Sequence, residues 1–255
     1  MASNILDRYG IKEVADVTFY RIDQNGKPSA PVLYLDTLKV STIEQTAENT
    51  SARGGKGNPE LIMWDYGKEI TVTLEDALFS AKSMAIMYGA VDSDGDAVIN
   101  TGTTTMLRTV PAAKLSSVVT ATAAGSGTAS FEVLGNTVSL SSCTFYNAAG
   151  SAVTSGTDYA YVTGVMTVAD KSEIVISSDT FPGTYYVTGD TYARSETSGV
   201  DEFFQFIIPK AKMQSEVTLT MEAEGDPSTF SMNLKVLRPA DGEMMKLVKY
   251  NLSTT

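Results

Sequence analysis

The chain has 255 residues, 43% of them hydrophobic and 19% charged, a balance that builds one large packed domain or two modest ones and excludes a disordered chain. It contains no histidine and a single cysteine, Cys143, which excludes intrachain disulfides, zinc sites built on His and Cys, and His-activated nucleophiles. A net charge of −11 excludes wrapping of nucleic acid, which needs clustered Lys and Arg.

Strand patterns dominate the first third. Residues 13–22 and 31–40 are rich in Val, Tyr, Leu and Thr, with Asn25-Gly26 as a hairpin turn between them. The second run continues through residue 48, placing Thr42, Glu44, Thr46 and Glu48 on one face. Residues 49–59 are polar and Gly-rich and read as a flexible loop, after which strands resume at 60–66 and 68–73. One helix is expected to start at Leu74, capped by Thr73 with Asp76 completing a capping box. Its stripe of Leu74, Ala77/Leu78, Ala81, Met84/Ala85 and Tyr88 would pack on a sheet, and Gly89 would end it.

Composition then shifts. Residues 109–184 hold 7 charged side chains in 76 positions and are rich in Ser, Thr, Ala and Gly. Short strand-like runs at 117–123, 129–134, 137–146, 159–163 and 174–177 predict a small β-sandwich, Ig-like or otherwise, inserted between main-domain segments 1–108 and 185–255. Beyond it, 185–193 and 202–208 return to strand sequence, the latter ended by Pro209. The runs 216–222 and 229–236 alternate strictly around an acidic turn and predict a long antiparallel hairpin with one apolar face.

Motifs for chemistry fail on inspection. Asp92-Ser93-Asp94-Gly95-Asp96 opens like a calcium loop, but Ala97 stands where Gly is required and Thr103 where the bidentate Glu belongs, so it reads as an acidic turn. Gly54-Gly55-Lys56-Gly57 lacks the phosphate-loop frame, with Gly57 where Ser or Thr must follow the Lys. The aromatic run Phe203-Phe204-Gln205-Phe206 lacks the basic flanks of a nucleic-acid platform and reads as a buried strand. Cys143, with no His in the chain, reads as a small, partly buried side chain. No catalytic residue, metal site or cofactor is expected, and the chain is read as not an enzyme. No apolar run approaches the ~20 residues of a membrane helix. The start of the chain lacks a signal-like apolar stretch, so assembly in the cytosol is expected.

In order, the chain shows N-terminal strands, the 40–48 strand, the 49–59 loop, the 68–73 strand, one helix, a β-rich excursion and a C-terminal hairpin. With the phrases Leu38-Lys39-Val40-Ser41, Leu74-Glu75-Asp76-Ala77-Leu78 and Ile208-Pro209-Lys210-Ala211-Lys212, and Glu224-Gly225-Asp226-Pro227 leading to Leu237-Arg238-Pro239, this resembles the tail tube proteins of long-tailed bacteriophages, most of all contractile-tailed ones. The resemblance covers the main domain and not 109–184.

It implies a mainly β fold: an antiparallel sandwich or barrel with one packed helix, a β-rich insertion, and long hairpins joining those of sister copies in a shared inner barrel. It implies stacked hexameric rings forming a conduit for genome delivery, in a virion tail assembled in the bacterial cytoplasm. A sheath protein would surround the tube and a tape measure protein lie inside. DNA would pass without specific binding, and this chain would not insert in a membrane. Asn49, Arg53, Gly54, Gly55, Lys56, Gly57 and Asn58 match the family's loop to the neighbouring ring. The hairpins 40–48/68–73 and 216–222/229–236 match its lumen ribbons, making Glu44, Glu48, Glu69, Glu216, Glu222 and Asn233 lumen-facing candidates. An acidic lumen lets DNA slide. A second reading is a capsid-decorating or surface-binding β-sandwich in which 109–184 recognises a glycan or host.

Overall fold

The computed structural model describes residues 8–122, 126–153, 159–219 and 229–250. In chain order these form β1 (Tyr9–Ile11), β2 (Asp16–Ile22), β3 (Pro28–Leu35), β4 (Leu38–Arg53), β5 (Glu60–Asp76), α1 (Ala81–Met87), β6 (Asn100–Pro111), β7 (Leu115–Thr122), β8 (Ser126–Val133), β9 (Asn136–Tyr146), β10 (Ala152–Val153), β11 (Tyr161–Glu173), β12 (Thr184–Ser195), β13 (Asp201–Met213), β14 (Phe230–Val236) and β15 (Lys246–Tyr250). Two compact units result, Met1–Ile99 with Ile174–Thr255, and Asn100–Glu173.

The first unit is a nine-stranded antiparallel sheet in the order β3-β2-β12-β13-β14-β5-β4, with β1 added on β12 and β15 on β13. Period-two alternation sends one face inward: in β14, Phe230, Met232, Leu234 and Val236 are buried while Ser231, Asn233 and Lys235 are not. Val17 and Phe19 of β2, Leu33 of β3, Val72 and Leu74 of β5, Tyr185 of β12 and Ile208 of β13 share one core with Ile86 and Met87 of α1. Strands from both ends of the sheet meet in that cluster, so the sheet curls around its core, yet β3 and β4 remain its free ends and the barrel is not closed.

The second unit is a six-stranded antiparallel sheet, β6-β11-β9-β8-β7 with β10 on β9. Its own core is Val110, Ala129, Phe131, Leu140, Cys143, Phe145 and Val162. Cys143 is fully buried, not partly; its Sγ donates to the Leu140 carbonyl at 3.1 Å, and burial pushes the thiol above its usual range.

One turn design recurs three times. Asp23 Oδ1 accepts from the amides of Asn25 (2.9 Å) and Lys27 (2.7 Å), while the Gly26 amide returns to the Asp23 carbonyl at positive φ. Asp92–Asp96 and Asn147–Ser151 repeat it residue for residue, with Gly95 and Gly150 at positive φ. The Asp92–Asp96 segment is therefore an Asx turn whose first carboxylate is spent on backbone amides. Arg21 holds Asp94 and Asp96.

Several expectations are corrected. Leu74 and Asp76 do not open a helix: they end β5, opposite Met232 and Phe230. The helix starts at Ala81, where Ser80 and Ser83 form the capping box at 3.0 and 2.9 Å. Of the expected hairpin 216–222/229–236, Phe230–Val236 is a strand, paired with β5 on one side and, at residues 234–236, with β13 on the other, where the Gln214 amide also donates to the Asn233 carbonyl. Residues 216–219 have no strand structure, and 220–222 lie outside the described residues. Pro209 does not end its strand: three residues of β13 face two of β12 there, so the proline's missing N–H falls in a bulge and β13 runs on to Met213. Residues 174–177 are not a strand, while β6 is one that no pattern announced.

Candidate assembly surfaces

β4 and β5 are the longest strands in the chain, 16 and 17 residues, and they pair along nearly their whole length. At the base, Ile70, Val72 and Leu74 point into the core. From Glu60 to Lys68 every residue of β5 is exposed, so the outer part of the hairpin is a two-stranded ribbon standing in solvent on both faces. Seven residues of β5 lie beyond Gly67, a reach of about 20 Å at strand rise.

A bulge divides base from arm. Thr46 faces Glu69 and Glu48 faces Tyr66, so β5 carries one extra residue at Gly67 and Lys68, with Gly67 at φ 62. One extra residue inverts the alternation of β5 relative to β4. In the base, even-numbered Ile70, Val72 and Leu74 share the core face with Gln45, Ile43 and Ser41; in the arm, even-numbered Ile62, Trp64 and Tyr66 join Ala52, Thr50 and Glu48 on the opposite face. Leu61 and Met63 take the other side. Leu61 is 64% exposed and Trp64 52%, with Ile62, Met63 and Tyr66 comparable. A continuous apolar run is the mark of a strand covered on both sides. No covering element is present for this one in the described chain.

The arm's tip is a Gly-rich turn. The Gly54 amide donates to the Pro59 carbonyl and the Asn58 amide to that of Gly55, both at 3.2 Å, with positive φ at Gly55, Gly57 and Asn58. Arg53 and Glu60 pair across it. The flexible loop expected over 49–59 is thus shorter. Asn49 and Arg53 are strand residues, Asn49 opposite Asp65, because Thr50 and Ser51 pair readily with Trp64 and Met63. Gly54, Gly55, Lys56, Gly57 and Asn58 form the turn itself.

The lumen candidates separate. Glu44 lies opposite Thr71, Glu69 opposite Thr46, and Asn233 opposite Thr73, so these three share the face of β4, β5 and β14 turned away from the core. Lys235 of the same face pairs with Glu69 at 2.6 Å, and the Thr73 hydroxyl donates to Asn233 Oδ1 at 3.1 Å. Glu48 continues that face beyond the bulge, beside Tyr66. Glu216 is exposed and outside any strand, and Glu222 lies outside the described residues.

The two free ends of the sheet differ. β3 carries Pro28 and Pro31, which blunt its edge, while β4 has no proline along its length and leaves a long row of unpaired backbone groups. Sequence reading named the β4 residues and the tip; it missed the run Leu61-Ile62-Met63-Trp64, although an apolar stretch beside a Gly-rich turn was its visible signal. Among the described residues no three acidic or thiol side chains gather as a metal site, and no helix is long and apolar enough to cross a membrane.

An open antiparallel sheet with a projecting apolar ribbon and an unblunted edge belongs to the class of structural β-proteins whose information lies in surfaces. The chain belongs to the YomU/Tube protein family, whose match spans residues 9–249. That membership marks it as a phage tube-type structural protein, a component of the virion tail, in keeping with a non-enzymatic role. No curated protein matches the chain.

Proposed function

We propose that this chain is the subunit of a bacteriophage tail tube, with copies closing into hexameric rings that stack into the conduit for genome delivery. The observation that supports this reading above others is the β4–β5 arm. Leu61, Ile62, Met63, Trp64 and Tyr66 stand exposed on its two faces, and fully burying one large apolar side chain gains roughly 1.5–3 kcal/mol. Sister copies against both faces supply that burial. The free β4 edge offers a neighbour a strand to pair with, and ring closure removes the edge.

In this reading the face bearing Glu44, Glu69 and Asn233 lines a wet bore past which DNA slides, with Glu48 near its rim. The Gly54–Asn58 turn reaches the next ring. A sheath around the tube and a tape measure protein within it are the partners, and the tail is assembled in the host cytoplasm. The test is electron microscopy of the purified protein over a concentration series. Hollow cylinders with six-fold projections are expected; a dispersed monomer at every concentration overturns the reading.

A further inference from the structure

On the side of the first unit's sheet turned away from its core, two carboxylates face each other with no ion pair to either among the described residues. Asp16 of β2 and Asp190 of β12 are direct cross-strand partners. Like charges in that position destabilise a sheet. Their side-chain donors among the described residues are neutral: Tyr34 Oη donates to Asp16 Oδ2 at 3.4 Å, and Gln205 Nε2 to Asp190 Oδ1 at 2.7 Å. Tyr250 Oη in turn donates to Gln205 Oε1 at 3.1 Å, fixing that amide's orientation. The carboxylate of Asp16, with Asp36 and Asp190 beyond it, holds the exposed Tyr34 phenol above its usual range, a sign of an uncompensated negative field.

Of the chain's own cations on this side, two are already paired, and Lys12 lines a hollow with Tyr192, Arg194 and Asp201 without an ion pair to either aspartate. Arg194 is held by both oxygens of Asp201, at 2.7 and 2.8 Å, and Lys246 is held by Glu243. Residues 1–7, 123–125, 154–158, 220–228 and 251–255 contain no Lys or Arg. Beside the acid pair, Tyr192, Phe203 and Tyr250 line up across three adjacent strands, their rings 5.7 and 5.8 Å apart. Tyr34 and Tyr192 are both exposed, by 56% and 49%.

We propose that this acidic, aromatic sheet face is the docking site for a basic protein surface, whose Arg or Lys side chains seat between Asp16 and Asp190 and stack on the tyrosines. Carboxylates pre-oriented by hydrogen bonds lower the ordering cost of binding a cation, and guanidinium groups pair with carboxylates and aromatic faces at once. A second copy of this chain is the weaker occupant, since copies that each carry −11 bring like charge to the face. The site is distinct from the β4–β5 arm and does not depend on ring formation.

The probe is a fluorescent octa-arginine peptide, titrated at about 0.15 M salt to damp long-range attraction. The wild type, Asp16→Asn/Asp190→Asn, and a control removing two exposed acids elsewhere, Glu132→Gln/Asp179→Asn, are compared. Binding that weakens about tenfold in the first variant and is unchanged in the control supports the proposal. The first variant is also expected to melt no lower than wild type, because it loses a repulsion, which separates lost binding from lost folding. Equal loss in both variants, or no binding by wild type, overturns the proposal. So does a change in self-association in place of a change in peptide affinity, which assigns the face to a second copy.

Discussion

Phe206 and Gly189 are cross-strand partners on the core side of β13 and β12, and a Cβ built on Gly189 would fall inside the Phe206 ring. The glycine is there for space and not for an unusual φ. Gly189→Ala therefore forces the ring out of a packed core, and a loss of about 1–3 kcal/mol is expected from urea unfolding. A second residue links the core to a turn. Tyr185 is fully buried, packs edge-on against Phe19 at 5.8 Å, and donates its hydroxyl to the Gly95 carbonyl at 2.9 Å. Burial pushes its phenol up from 10 to about 12. The neutral form thus favours the fold: this contribution is whole below pH 10 and is lost as pH rises toward 12, by about 3 kcal/mol at 1.36 per pH unit. Tyr185→Phe loses about 1 kcal/mol at neutral pH by orphaning the Gly95 carbonyl, and its urea midpoint falls less than that of wild type between pH 9 and 11.5. Parallel slopes for the two proteins would remove Tyr185 as the source.

At the scale of elements, legibility followed the strength of period-two patterning. β14 and the base of β4–β5 were readable because buried and solvated side chains alternate without a break, and Asn25-Gly26 announced its turn. Gly89 stops α1 as expected, because its φ of 77 and the Phe181 backbone 2.8 Å from any Cβ exclude other residues. The helix start was misplaced because Leu74, Leu78 and Ala81 satisfy a helical spacing while Leu74 also satisfies the strand alternation that tertiary pairing with β14 selects. The pairing of β14 with β5 was not legible, because alternation shows that a strand has a face and not which strand lies beside it. β6, with Thr101, Thr103, Thr104 and Thr105, carries too little hydrophobic contrast to read at all. The arm's inverted parity was hidden in a single glycine. It makes a prediction of its own: Met63→Ser and Trp64→Ser lie on opposite faces, and each changes the unfolding free energy of the monomer by less than about 0.5 kcal/mol, since both side chains are solvated. Each also reduces assembly, as read by sedimentation or light scattering. If only one face matters, the arm is covered on one side alone.

At the scale of the whole chain, the two units depend on separate cores. The cluster that holds the nine-stranded sheet contains no residue of Asn100–Glu173, and the cluster of that unit contains none from outside it. Asn100 and Glu173 are themselves a cross-strand pair, so the chain leaves and re-enters the first unit at points about 5 Å apart. A linker of two or three glycines from Ile99 to Ile174 spans that gap without straining either end. The excised protein should therefore unfold in one cooperative transition with a midpoint close to that of the full chain, because none of the larger unit's described core residues has been removed. It should also assemble as the full chain does, because β4, β5 and the Gly54–Asn58 turn are all retained. Calorimetry reads the first expectation and electron microscopy the second. A loss of cooperativity would mean that the larger core draws on the smaller unit. A folded protein that no longer assembles would move the decisive contacts from the arm to residues 100–173.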